Sequence, residues 1–324
     1  MKATYLGLEL DSPVVVSSSP YTATLANIEQ CAAAGAGAVV LKSIFEEQIL
    51  HHAASLEQYS DSPYGDASDY LQRYLGEDYK AGFLRLVSEA RRATAVPVIA
   101  SINCVAAGDE WISYAAAMAE AGASAVELNI FIQPVEVSRS AQELERLYVE
   151  IAQRVCRAVK IPVSVKLSMR FTNIVAVTSA LESVGVRGAV LFNRFFEPDV
   201  DVEKIAFVEG SPYSEASELR NVLRTTAICA GALPRMDFAV STGVHDGEAA
   251  VKALLCGASA VQVCTAIHRD GFAAITRMNE WIDAWASRHG FASIGEFRGR
   301  LDFRNCDSEL FQRVQYMKHF PGRE

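Results

Sequence analysis

A (β/α)8 barrel is the fold class this sequence predicts, on three observations. Eight short apolar runs rich in β-branched residues recur along the chain, helix-patterned stretches separate them, and glycine-containing turns of small residues stand directly before several of the runs. Near-continuous apolar runs suit parallel strands covered on both faces. Helix, glycine and strand in repeated order make the αβ-loop pattern of a wound α/β fold. The rival is an open doubly wound sheet, which the absence of a GxGxxG after the first strand weakens.

The elements follow in order. Met1–Asp11 reads as a short hairpin plugging the barrel bottom. The strands read as Pro13–Ser18, Ala38–Ser43, Pro97–Ile102, Ala125–Ile130, Pro162–Leu167, Gly188–Asn193, Phe238–Thr242 and Ala260–Thr265. Helical spacing is clearest over Ile28–Ala34, Leu84–Arg92, Trp111–Ala121, Ala141–Val159, Ile174–Val184, Ala216–Ala230 and Glu248–Leu255, and the tail from Phe272 reads as helical. AGAGA at 34–38, AGASA at 121–125, VGVRGA at 184–189 and CGASA at 256–260 are the turns into strands. Two segments exceed a minimal barrel: Ile44–Gly82 after strand 2, with tyrosine-rich patches Tyr59–Tyr64 and Tyr70–Tyr79, and the acidic Phe195–Ser214 after strand 6. Loops of that length on the C-terminal face are expected to be lids or substrate walls, the plainer alternative being surface decoration or oligomer contacts. With no linker in sight, 1–324 reads as one domain.

Composition narrows the function. The chain has 324 residues, half of them hydrophobic, with 39 acidic against 30 basic residues and a formal net charge of −9. No polybasic run is present, so neither nucleic acid nor an anionic membrane is the expected partner. The seven scattered cysteines form no CxxC pair, which points away from disulfides, zinc and iron–sulfur clusters and toward a reducing compartment. No signal peptide and no apolar run of membrane-spanning length is read, so a cytoplasmic protein is expected.

Polar residues that end barrel strands converge on one pocket. Here they are Ser17, Ser18 and Ser19, then Lys42 and Ser43, Asn103 and Cys104, Asn129, Lys166 and Ser168, Asn193, Ser241 to Gly243, and Cys264 and Thr265. A lysine inside an apolar strand is costly unless it meets an anion or a polar ligand, and Lys42 and Lys166 both sit so. STGVHDGEAA and VQVCTAIHRDG each run from a strand into a turn and helix start, where free N–H groups hold phosphate, with Gly243, Val244, Cys264 and Thr265 as expected contacts.

LGLELDSPVVVSSSP, AGAGAVVLKSI, PVIASI, AVELNI, PVSVKL, the strand 6 asparagine, the STG turn, AVKALLCGASAVQVCTAIHRDG and GFASIGEFRGRL occur in the same order as in dihydroorotate dehydrogenases, from about residue 5 to residue 303. The chain thus resembles the soluble members of that family. The resemblance implies an FMN-binding barrel that oxidises or reduces a carbon–carbon bond in a small ring, in pyrimidine biosynthesis, and a homodimer. It implies that Ser17, Ser18, Lys42, Ser43, Asn129 and Lys166 meet the flavin, that Lys42, Asn129 and Asn193 meet substrate, and that Lys42 is catalytic. Ser217, Gly243, Val244, Cys264 and Thr265 would serve the phosphate. The ELN motif is followed by Ile130-Phe131-Ile132-Gln133-Pro134, so the position of the family's Cys or Ser base is Ile132, or Phe131 with a one-residue slip, and neither accepts a proton. The family's Asn-rich loop after strand 2 is replaced by SDSPYGDASDYLQRYL.

Three replacements for the base come into question. Cys104 is a catalytic candidate from strand 3, although a free cysteine reads first as packing. Ser138 and Ser140 read first as helix caps, and Tyr64, Tyr70 and Tyr74 as aromatic packing. His51-His52 lacks carboxylates at ligand spacing, so no metal is expected, and Trp281 with Trp285 has core spacing. Two other functions stay open: a phosphate-binding lyase or aldolase barrel with Lys166 as Schiff-base nucleophile, and a flavoprotein without dihydroorotate activity because Ile132 holds the base position.

Overall fold

The computed structural model describes residues 1–45, 77–104, 108, 110–132, 135–194, 197–306 and 308–311. An antiparallel hairpin leads, β1 (Ala3–Tyr5) and β2 (Leu8–Leu10). Barrel strands and helices then alternate: β3 (Val14–Val16), α1 (Leu25–Ala33), β4 (Ala38–Val40), a two-residue β5 (Ile44–Phe45), α2 (Glu77–Ala93), β6 (Val98–Cys104), α3 (Glu110–Glu120), β7 (Ala125–Ile130), α4 (Ala141–Ala158), β8 (Val163–Leu167), α5 (Ile174–Ser183) and β9 (Gly188–Leu191). A small hairpin, β10 (Asp199–Asp201) and β11 (Ala206–Val208), precedes α6 (Leu219–Ala232), β12 (Asp237–Ser241), α7 (Gly247–Leu255), β13 (Ala260–Val263), α8 (Thr265–Asp270) and α9 (Ala273–Arg288).

The barrel strands pair in parallel in the order β4, β3, β13, β12, β9, β8, β7, β6, and pairing of β6 with β4 closes the ring. All eight apolar runs of the sequence are its strands, so the barrel reading holds and the open sheet falls away.

The turns work as their glycines require. Gly35, Gly122, Gly185 and Gly257 all have φ near +90 to +105. After each, the next residue donates its N–H to a carbonyl five residues back, Ala36 to Cys31, Ala123 to Met118, Val186 to Leu181 and Ala258 to Ala253, each 3.1 Å. That 6→1 bond stops the helix and turns the chain into the next strand.

Period-two alternation gives the barrel two kinds of interior. Below, Val15, Val40, Ile99, Ala125, Val190, Ala239 and Ala260 pack with Tyr5, Leu6 and Leu10 of the hairpin in one buried cluster. Leu6 N–H donates to Asp237 Oδ2 at 2.8 Å, which fastens this cork to β12. Two residues further along five of these strands the positions become polar, Ser17, Ser101, Glu127, Ser241 and Gln262, whereas Phe192 keeps β9 apolar there. A larger apolar cluster fills the layer between strands and helices.

Two local expectations change. The segment after strand 6 is not plain loop but carries the β10–β11 hairpin. The tail is helical only to Arg288; Gly290 (φ +75) follows, and 3-10 turns and irregular chain replace further helix among the described residues. Tyr59, Tyr64, Tyr70, Tyr74 and His51-His52 lie outside the described residues.

Candidate functional site

Lys166 points into the barrel near its C-terminal end, 6% exposed, and its Nζ donates to Ser17 Oγ and to Gln262 Oε1, each at 3.0 Å. Gln262 Nε2 donates in turn to Glu127 Oε2. Burial pushes the Lys166 ammonium down and the Glu127 carboxyl up from their usual ranges, while the attraction between the two charges works against both shifts. Glu127 and Gln262 went unmarked as site residues in the sequence. Strand parity could have found them, since Glu127 lies two residues before Asn129, and Gln262 two before Cys264, on the same inward side.

Above this layer the expected donors assemble. Asn129 lies opposite Lys166 in the β7–β8 register. Asn193 Nδ2 donates to Asn129 Oδ1 at 2.9 Å. Ser18 Oγ is 2.9 Å from Ser43 Oγ and also accepts the Ser43 N–H at 2.9 Å; Ser43 Oγ reaches Ser101 Oγ at 2.8 Å. Lys42 is half-buried at the end of the neighbouring strand.

The segment to which the resemblance assigns the base is apolar in space as well as in sequence. Ile130 is buried, and Ile132 packs half-buried against the core. Cys104 is buried at the end of β6, its carbonyl accepting the Phe131 N–H at 3.1 Å. Ser140 is the N-cap of α4 in a capping box with Glu143, and Ser138 is exposed. Tyr148 of α4, not singled out in the sequence, adjoins Ile132; burial pushes its phenol up to about 12, so it stands there as a neutral hydroxyl.

At the strand 7 and 8 ends, Thr242 (φ +81) and Gly243 (φ +77) turn the chain sharply from β12 toward α7, which Asp246 caps by accepting the Ala249 N–H at 2.8 Å. A left-handed threonine is costly and such strain gathers at functional sites. Ser214, not Ser217, meets this turn. Gly243 N–H donates to Ser214 Oγ at 3.3 Å, and the Ser214 N–H donates to Thr265 Oγ1 at 3.1 Å. Ser217 is exposed on a single 3-10 turn (Ala216–Glu218).

His245 Nε2 lies 2.9 Å from Ser214 Oγ, and Arg269 Nη1 lies 3.3 Å from His245 Nδ1. A guanidinium can only donate, so Nδ1 accepts and Nε2 carries the proton toward Ser214. Burial, helped by Arg269, lowers the His245 pKa, in keeping with a neutral ring. Val244 and Thr265 are buried and Cys264 half-buried at the start of α8, whose first N–H groups have no intrahelical acceptors. The seven cysteines are free, and no cluster of metal-ligating side chains occurs among the described residues. None of the described helices is long and apolar enough to cross a membrane.

Comparison with known proteins follows this geometry. The family model described as "Dihydroorotate dehydrogenase" matches residues 1–285. The "Dihydroorotate dehydrogenase B (NAD(+)), catalytic subunit" of Methanosarcina acetivorans is 28% identical over 308 residues, covering 90% of this chain and 93% of its own. "Dihydroorotate dehydrogenase A (fumarate)" of Lactococcus lactis subsp. lactis is 24% identical over 320 residues, 93% and 99% of the two chains.

Proposed function

From its membership of the dihydroorotate dehydrogenase family, to which this oxidoreductase chain belongs, we propose that the protein is FMN-dependent and transfers hydride to or from a carbon–carbon bond of dihydroorotate or a related small unsaturated acid. One observation carries the reading. The Lys166 ammonium has three protons, and the described residues supply acceptors for two of them, inside a barrel mouth lined by amides and hydroxyls. That donor set fits a ring edge rich in oxygen and nitrogen acceptors. The Thr242–Gly243 turn and the start of α8 fit a phosphate.

On this reading Ser17, Ser18, Lys42, Ser43, Asn129 and Lys166 hold the ring, while Gly243, Val244, Cys264 and Thr265 hold the phosphate beside Ser214. Lys42, Asn129 and Asn193 face the substrate. Bound there, FMN would supply the hydride acceptor and donor. A charged Lys166 would stabilise negative charge on such a group without reorganisation. Ile130–Ile132 exclude water but take no proton, so a proton leaves or arrives by another group; Cys104 and the Tyr148 hydroxyl are the described candidates nearest that segment. The exposed apolar side chains of β10–β11, with Ile205 90% and Phe207 77% exposed, support a homodimer. The free cysteines support a cytoplasmic setting.

A lyase with Lys166 as amine nucleophile is the weaker reading: burial lowers the Lys166 pKa, but both of its hydrogen bonds and the nearby carboxylate work to keep it charged and non-nucleophilic. The visible spectrum of the purified chain tests the proposal, with release of the pigment to identify FMN. Lack of flavin bands after reconstitution with FMN ends it. Anaerobic reduction by dihydroorotate, and reoxidation by orotate or fumarate, then separate a dihydroorotate enzyme from a flavoprotein acting on another acid.

A further inference from the structure

We propose that Glu127, acting through Gln262, is a positioning residue that holds Lys166 as an ammonium at the cofactor end of the barrel. The consequence for a flavin rests on the functional reading above; the coupling itself rests on this chain's own side chains. Lys166, Gln262 and Glu127 come from β8, β13 and β7, and all three are buried, Glu127 completely. The amide between them has one workable orientation. Lys166 has only protons to offer, so Gln262 Oε1 faces it, and Nε2 is left to donate to Glu127 Oε2.

Burial favours the neutral form of Glu127, whose Oε1 has no hydrogen-bond partner among the described residues, and the Lys166 charge and the Gln262 amide are what oppose it. Other titratable groups face the pair: the Cys264 thiol toward Lys166, and the Tyr5 phenol toward Glu127. Burial keeps both of those protonated at neutral pH, so neither supplies a counter-charge. Glu127 does.

Distance explains the relay. A carboxylate touching Lys166 would cancel most of its field and occupy its protons. One amide away, it still favours the charged form, yet leaves a proton of the ammonium for a ligand.

The test follows the ionisation of Lys166 in the full-length chain labelled with 13C-lysine, its signal assigned by loss in Lys166→Met. Glu127→Gln keeps the hydrogen bond to Gln262 and removes only the charge. It should lower the Lys166 titration midpoint by about one pH unit, a tenfold change. The exchange Glu127→Gln with Gln262→Glu, which moves the carboxylate directly onto Lys166, should restore it. Coinciding titrations of wild type and Glu127→Gln overturn the proposal. In wild-type protein labelled at glutamate, the Glu127 carboxyl should read as ionised at neutral pH, and a protonated carboxyl also overturns it, whatever the folding of the variants. If wild-type protein binds no flavin, the functional reading fails, while these titrations still decide the coupling.

Discussion

Lys166→Met removes an ammonium but leaves Glu127 in the shaft without its counter-charge, and breaking a buried pair from one side costs about 3–5 kcal/mol. Urea unfolding should show that loss, and Lys166→Met combined with Glu127→Gln should recover most of it; equal instability of the single and double variants refutes the pairing. His245 carries a prediction of opposite sign from a lysine or histidine that gains an acidic partner. Its folded pKa lies below the unfolded value, so the fold favours the neutral ring. That stability is present above the unfolded value of about 6.5 and is lost as pH falls through the folded value. Denaturation midpoints followed from neutral to mildly acidic pH should therefore decline less steeply in His245→Gln than in wild type. At this scale the sequence showed what ends a strand. Lys166, Asn129 and Asn193 stood out because polar groups closed apolar runs. Glu127 and Gln262 hid inside such runs, where only the parity of inward positions marks them. Ser214 went unmarked because a loop has no periodicity to count along.

Between residue and fold stands the turn from β12 into α7. Gly243 has φ +77, and a Cβ there would lie 2.6 Å from Leu219 N and 2.9 Å from Leu219 Cα, both backbone atoms. Gly243→Ala should therefore displace the turn from α6, lowering both the melting temperature and the molar ratio of flavin retained on purification; full retention would separate this turn from cofactor binding. The glycine was legible as a turn signal. The left-handed Thr242 beside it was not, because a β-branched residue in that conformation is an outlier that only tertiary packing enforces. The β10–β11 hairpin was illegible for another reason: its three-residue strands are too short for alternation to register against an acidic, glycine-bearing background.

For the whole molecule, barrel order was readable from the chain alone, since parallel strands covered on both faces must be apolar throughout and must be joined by helices. Assembly depends instead on which apolar surface stays uncovered. Val200, Val202, Ile205 and Phe207 stand exposed on one hairpin, a patch of the kind that marks protein contacts. Phe207→Asp should shift the light-scattering mass from dimer to monomer with the barrel's circular dichroism unchanged, and a monomeric wild type would remove the hairpin from that role.

The hairpin cork has a kinetic corollary. Tyr5, Leu6 and Leu10 close the lower end of the cylinder, and Asp237 fastens them there. On the proposed reading, reductant and oxidant would both reach the bound ring from the open end, and taking turns there is the expected order. Steady-state turnover with two varied substrates should give parallel double-reciprocal lines, the signature of a double-displacement cycle.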